Sequence, residues 1–530
     1  MWFITPHIHQ SRLTTSSPTS NKTGNWPVTI ALMAMSLLLL WVFRTQQFTG
    51  DSLWYANSAL NGTDMFHPHH LLFTPVIRAF FLGLNSIGIS VSIIEAGQLF
   101  NSSFAAFSIG LIHRILRVHV SAAIAVLVPV ILLFCNGFWT YATQIEVYIP
   151  GIFFSLLFFW SLTRKKRTPA TIAVSIVGFS MAVLFHQTNV LLAIPLFFLL
   201  GKNDWKNAVA ISFTAGAVVL GAYVWVMISE GYSIGLNGFT AFSLKYAVSG
   251  QEGWGTFSNW MPMGWFELFA SQTGNFIRQS YAHVVVYWLV FTFGIIWLLV
   301  FAFKCLKQNS NSQSLIRFCL IWIITNYIFF LWWLPKEGEF FIATLIPLVL
   351  LLAIQINGMI WKYSKAILPI LLLVILGFNG FVFYQKHTQA NNFGLRAQQI
   401  ASISDESTVV VTDFFTEQYL EFFHQIKAES TDNLYRSIYE DDGLDMVKSV
   451  NQHQRLVISH QHLAPAFKSN GFSGITHKAK WNTGVQTLLK GACSIERATV
   501  LNEEFWLIER CEEPTITIDS IIANLEFVSP

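Results

Sequence analysis

The sequence predicts a polytopic α-helical membrane protein of about eleven transmembrane helices with a C-terminal soluble α/β domain, and three observations carry that prediction. Hydrophobic residues make up 53% of the 530 and charged residues only 12%, where soluble chains carry about a quarter charged. Apolar runs near the roughly 20 residues that a spanning helix requires recur from residue 28 to residue 384. Beyond residue 385 short β-branched runs alternate with polar stretches, the pattern of a small α/β domain.

Residues 1–27 are polar and mixed, so the first apolar run is not the short core of a cleaved signal peptide. It is expected to remain as an anchor behind a cytoplasmic tail. The candidate spans within the membrane module, 28–384, are 28–45, 88–112, 119–136, 146–163, 169–186, 188–200, 208–228, 281–303, 316–334, 340–360 and 366–384. Residues 69–84 are apolar as well, and charge decides their place. If they lie along the membrane surface, Arg12, Lys22, Arg114, Arg117, Arg164, Lys165, Lys166, Arg167, Lys202, Lys206, Lys304, Lys307, Arg317, Lys362 and Lys365 share one side. The other side keeps only Arg44, Arg78, Lys245, Arg278 and Lys336. The positive-inside rule then sets the N-terminus in the cytoplasm and the C-terminal region outside.

Two outer loops follow from this topology, 46–87 and 229–280, the second rich in glycine and aromatic residues around Trp254, Trp260 and Trp265. A loop of that length is uncommon unless functional. The extracytoplasmic domain, 385–530, is expected to hold strands over 408–413, 455–460 and 505–510 and an amphipathic helix over 416–427. Cys493 and Cys511 could form a disulfide if this region faces an oxidising compartment, or stand as free thiols. A formal charge of +3 argues for no nucleic-acid partner.

The topology also brings polar residues from distant segments to the outer rim. Asp51, Asp64, His67, His69 and His70 follow the first span; Glu95 sits in the outer half of the second. Glu146 opens the fourth, His186 closes the fifth, and Lys336, Glu337 and Glu339 separate the ninth from the tenth. A carboxylate in or against an apolar stretch is costly and is usually retained for function. Asp51 suits a general base, and Lys336 with the histidines suits stabilisation of a departing phosphate. Glu146 could bind sugar hydroxyls or stabilise the positive charge of an oxocarbenium-like transition state. The His67-Pro68-His69-His70 run could instead hold a divalent metal, since imidazole suits zinc, although Pro68 points to a turn that orients hydrogen bonds.

Six features occur in a telling order. An acid, Asp51, follows the first helix; His67-Pro68 opens a surface-lying helix; His113-Arg114-Ile115-Leu116-Arg117 makes a basic cytoplasmic turn. Gln144-Ile145-Glu146-Val147-Tyr148 begins the fourth span, Phe185-His186-Gln187-Thr188-Asn189 breaks the fifth from the sixth, and Lys336-Glu337-Gly338-Glu339-Phe340-Phe341 forms the last charged outer loop. In this order and spacing the chain resembles the GT-C superfamily of membrane glycosyltransferases, near the protein O-mannosyltransferase and aminoarabinose transferase branches.

The resemblance implies a polyprenyl-phosphate sugar donor, undecaprenyl or dolichyl, and an inverting displacement within the lipid bilayer. The acceptor, a protein, lipid or glycan, would be extracytoplasmic. It makes Asp51 the catalytic base, Glu146 a second active-site acid and Lys336 a phosphate contact, with His67, His69, His70, Glu95, His186 and Glu339 as substrate-binding residues. Many members carry two adjacent acids where this chain has Asp51-Ser52, and Lys336 stands where the family has an arginine, keeping charge but losing bidentate phosphate binding. A bacterial inner membrane is the expected setting. The alternative is a transporter or flippase of a lipid-linked glycan, which predicts inverted repeats and midplane ionisable residues; neither is clear in the sequence.

Overall fold

The computed structural model describes residues 26–164, 167–200, 204–244, 296, 300, 302–303, 312–333, 338–358, 364–430, 450, 453–459, 492–500 and 503–511. The tail before residue 26, most of the loop expected over 229–280, most of the span expected over 281–303, and Lys336 with Glu337 lie outside the described residues.

Among the described residues five helical segments are long and apolar enough to cross a membrane, and a sixth if one bent pair counts as a single span. They are α4 (Ile93–Leu116), α10 (Trp205–Ser229), a window of α12 (Gln313–Trp333), the segment Glu339–Asn357 that holds most of α13 (Ile342–Gly358), and the segment Leu368–Ser402 that begins within α14 (Ser364–Thr388). The bent pair is α5 (Ala122–Leu133) with α6 (Asn136–Ala142), which turn by 67°. At that break the Asn379 side chain of α14 donates to the Phe134 carbonyl at 2.8 Å, satisfying a group the interrupted helix leaves open. Shorter apolar helices stand where other spans were expected: α1 (Trp26–Val42), α7 (Tyr148–Leu162), α8 (Pro169–Phe185) and a 3-10 turn running into α9 (Ala193–Leu200).

The segment expected to lie along the membrane surface is a 3-10 turn, Pro68–His70, followed by α3 (Phe73–Ser86). Its 14 residues reach about 21 Å, short of the roughly 30 Å hydrocarbon core. It buries Phe73, Thr74 and Ile77 against α2 (Gly50–Asn61) and α4. Helix α4 is the hub, touching α1, α2, α3, α5, α6 and α7. Its buried Gly97, Ser102, Ala105, Ala106 and Ser108 are small enough to let those neighbours approach.

The C-terminal sheet has the order β2-β1-β3-β5-β4, formed by β1 (Thr408–Thr412), β2 (Lys427–Ser430), β3 (Arg455–Ser459), β4 (Ala492–Val500) and β5 (Glu503–Arg510). β1 pairs in parallel with β2 and β3, while β5 runs antiparallel to β3 and β4. The helix expected over 416–427 is shorter and earlier. Asp413 caps α16 (Phe414–Tyr419) by accepting the Thr416 amide at 3.0 Å. A π-turn over Leu420–His424 then ends on left-handed Gln425, φ 55°, which frees 427–430 to pair as a strand. Cys493 and Cys511 are joined in a disulfide with Cα atoms 5.9 Å apart.

One hydrophobic cluster unites the two parts. Phe48, Leu53, Tyr55, Phe73, Phe100 and Ile145 from the helical module pack with Val410, Tyr419, Val457 and Phe505 from the sheet domain.

Candidate active site

The site begins at the start of α2, in a stretch expected as loop. Thr49 is its N-cap: extended at φ −74° and ψ 162°, its side chain accepts the Ser52 amide at 3.0 Å. That cap places Asp51 in the first helical turn, exposed, where the helix dipole favours negative charge. The same Thr49 hydroxyl donates to Glu146 Oε1 at 2.6 Å. Ser52 donates to Gln144 Oε1 at 3.0 Å and lies 3.3 Å from Glu146 Oε1.

Glu146 is held in a buried, non-helical crossing between α6 and α7, whose carbonyls need donors that water cannot supply there. Helix α4 supplies them. Gln98 Nε2 donates to Thr45 O at 2.9 Å and Thr143 O at 2.8 Å; Asn101 Nδ2 donates to Gln144 O at 2.8 Å and Glu146 O at 2.7 Å; Ser102 donates to Ala142 O at 2.9 Å. Gly97 lets the crossing lie close, since a Cβ there would stand 2.7 Å from Ile145 Cγ1.

Burial, with the negative charges of Asp51 and Glu339 beside it, holds the Glu146 carboxyl well above the usual carboxylate range. The three acids therefore lie within electrostatic reach of one another, and the environment favours the protonated form of Glu146. Glu146 is 2% exposed and ends two residues before α7 begins, at the rim rather than within a span.

The histidines form a second layer. His67 stacks on His70 with ring centres 4.0 Å apart and planes 7° from parallel, and His69 approaches His67 at 5.1 Å. The Tyr55 hydroxyl of α2 lies 2.9 Å from His70 Nε2, and Tyr223 of α10 donates to the Pro68 carbonyl, fixing the turn. Burial lowers the His69 imidazole to about 4, and burial with the neighbouring His67, His186 and His69 takes His70 well below its ordinary value. Both are neutral near pH 7, so they act as hydrogen-bonding groups and not as cations. His186 joins them electrostatically and touches Tyr148 at 5.1 Å and Phe340, next to Glu339, at 6.2 Å. Among the described residues no three His, Cys, Asp or Glu side chains are grouped to hold a metal ion.

No protein-family profile and no curated protein matches the sequence. Solved structures do match. ArnT from Cupriavidus metallidurans bound to undecaprenyl phosphate aligns with a TM-score of 0.58 at 10% identity, over 93% of this chain and 99% of that one. Its apo state gives 0.57 at 12% identity, over 91% and 98%. The Archaeoglobus fulgidus oligosaccharyltransferase tethered with an acceptor peptide gives 0.53 at 12% identity, over 93% of this chain and 75% of that one. The chain shares the fold of these structures.

Within this fold the predicted residues form two groups, Glu146 with Asp51 and Glu339 beside it, and His70 with His67, His69 and His186 around it. Lys336 lies outside the described residues. Glu95 has a different employment: with Ser92 it forms a capping box at the start of α4, its Oε2 accepting the Ser92 amide at 3.0 Å, and its Oε1 pairs with Arg44 at 3.3 Å. The tethers Gln98, Asn101 and Ser102 are not among the predicted residues. Their spacing of three and four along an apolar run is the signal that marks them, a polar stripe on one helix face.

Proposed function

We propose that this chain is a glycosyltransferase that moves a hexose or pentose from a polyprenyl-phosphate donor to an acceptor outside the cytoplasm, with inversion. The observation that carries the reading is the convergence of Asp51, Glu146 and Glu339 beside four histidines on a GT-C fold, one of whose solved examples is bound to undecaprenyl phosphate.

In this reading the acceptor hydroxyl attacks the anomeric carbon, the bond from that carbon to the phosphate oxygen breaks, and the phosphate leaves with the electron pair. Asp51 takes the hydroxyl proton. The neutral histidines and Lys336 bind the phosphate oxygens as charge gathers on them. The negative charges facing the sugar come from Asp51 and Glu339, while Glu146, being neutral, offers a hydrogen bond rather than charge stabilisation. The N-terminus lies in the cytoplasm and the sheet domain in the periplasm of a bacterial inner membrane.

Asp51→Asn tests the assignment. Transfer from a polyprenyl-phosphate sugar should fall by about 10²–10⁴, the usual contribution of a positioned base, with the melting temperature retained. Undiminished transfer removes Asp51 from the mechanism.

A further inference from the structure

At the end of α4 far from the carboxylates, α1, α4 and α7 open an apolar cleft of about 380 Å³. Arg114, on its rim, lies about 20 Å along α4 from Asn101 at the helical rise. Its floor is a close helix crossing: a Cβ on Gly110 would stand 2.6 Å from both Cγ and Sδ of Met33. Met33, Leu111 and Leu157 line it with carbon.

The rim is different. Trp26 and Trp160 both border the cleft, and each carries a guanidinium on its face, Arg114 at 4.6 Å from the Trp26 ring centre and Arg164 at 4.3 Å from that of Trp160. Among the described residues neither arginine has a carboxylate partner, whereas Arg44 pairs with Glu95 and Arg167 with Asp204. Two cations held on tryptophan faces beside a hydrocarbon slot complement an amphiphile with a negative head.

We propose that this cleft seats an anionic phospholipid of the leaflet opposite the active site, one acyl chain lying against Met33 and Leu157 and the phosphate on Arg114 and Arg164. Tryptophan and arginine together mark the headgroup depth, and each basic residue there favours anionic over zwitterionic lipid. The seat is separate from the donor's site and does not depend on the reaction proposed above.

Native mass spectrometry of the full chain in detergent reads the proposal, with phosphatidylglycerol, phosphatidylcholine of the same acyl chains, and undecaprenyl phosphate as probes. Wild type should retain one phosphatidylglycerol with about tenfold preference over phosphatidylcholine. Arg114→Gln combined with Arg164→Gln should bring that preference near unity, and Leu157→Trp should weaken retention of both phospholipids. The arginine pair sits at the rim, so it keeps the test decisive if Leu157→Trp fails to fold. Equal retention of the two phospholipids by wild type, an undiminished preference in the double variant, or tighter retention of undecaprenyl phosphate that those arginine changes abolish overturns the proposal.

Discussion

Replacing Glu146 by glutamine tests which of two neighbouring acids holds the proton. Glu146 is 2% exposed, and its Oε1 accepts from Thr49 at 2.6 Å and lies 3.3 Å from Ser52 Oγ. Glutamine keeps that oxygen and both contacts, so only the protonation chemistry changes. If the raised carboxyl keeps its proton at the working pH, Glu146→Gln should leave transfer within about tenfold of wild type, where Asp51→Asn costs about 10²–10⁴.

Stability gives the second measurement. Burial and the charges of Asp51 and Glu339 raise the folded pKa above 4.5, so the folded chain keeps a proton that the unfolded chain releases. The contribution is fully present below 4.5 and is lost as pH rises toward the raised folded value, at about 1.4 kcal/mol per pH unit. Melting of the detergent-solubilised protein should therefore fall with pH more steeply in wild type than in Glu146→Gln. Glu146→Ala, which removes the acceptor and leaves a void, should cost about 2–4 kcal/mol below pH 4.5 and less as pH rises and the wild-type contribution is lost. A glutamine variant as inactive as Asp51→Asn, or one with the wild-type pH slope, would refute the assignment of the proton.

Asn101→Leu removes the donor to the Gln144 and Glu146 carbonyls and should cost about 2–4 kcal/mol together with at least about tenfold in turnover; normal melting and turnover would sink the tether. Tyr419→Phe deletes a hydroxyl that accepts the Phe48 amide at 2.9 Å and donates to the Phe48 carbonyl at 3.2 Å, just before the Thr49 cap. About 1–2 kcal/mol and a fall in turnover greater than in donor affinity are expected, and a change in affinity alone would contradict the positioning role. Glu417, buried in the sheet domain, is raised from 4.5 to about 9 by burial and then by Glu421 and Glu429. Its contribution to stability is complete below 4.5 and disappears as pH climbs to about 9, so Glu417→Gln should raise the melting temperature by a few degrees at about pH 8 and leave it unchanged at about pH 4.

Apolar helices were legible because an apolar run near 20 residues has few other homes, yet among the described residues only five, or six with the bent pair, are long and apolar enough to cross a membrane. The rim acids were legible because a carboxylate beside hydrocarbon stands out. Helix α2 was not, since Ser52, Tyr55, Ala56 and Ala59 are buried by the sheet domain and by α3, neighbours that hydropathy does not see. Strands β2 and β4 escaped for a related reason: they lie at the two edges of the sheet, where Lys427 of β2 and Glu496 and Arg497 of β4 face solvent and break the apolar pattern. Glu95 looked like a site residue from its depth alone, and only the Ser92 and Arg44 geometry shows it capping a helix.

The hydrophobic cluster that Phe48, Leu53 and Tyr55 share with Val410, Tyr419 and Phe505 ties the sheet domain to the helix that carries Asp51. Cutting the chain near residue 390 would bare that oily seam to water and loosen the very turn that presents Asp51. A chimera between two chains of this fold must accordingly exchange α2 and the sheet as one cassette, and a graft of the sheet alone would inherit a mismatched seam.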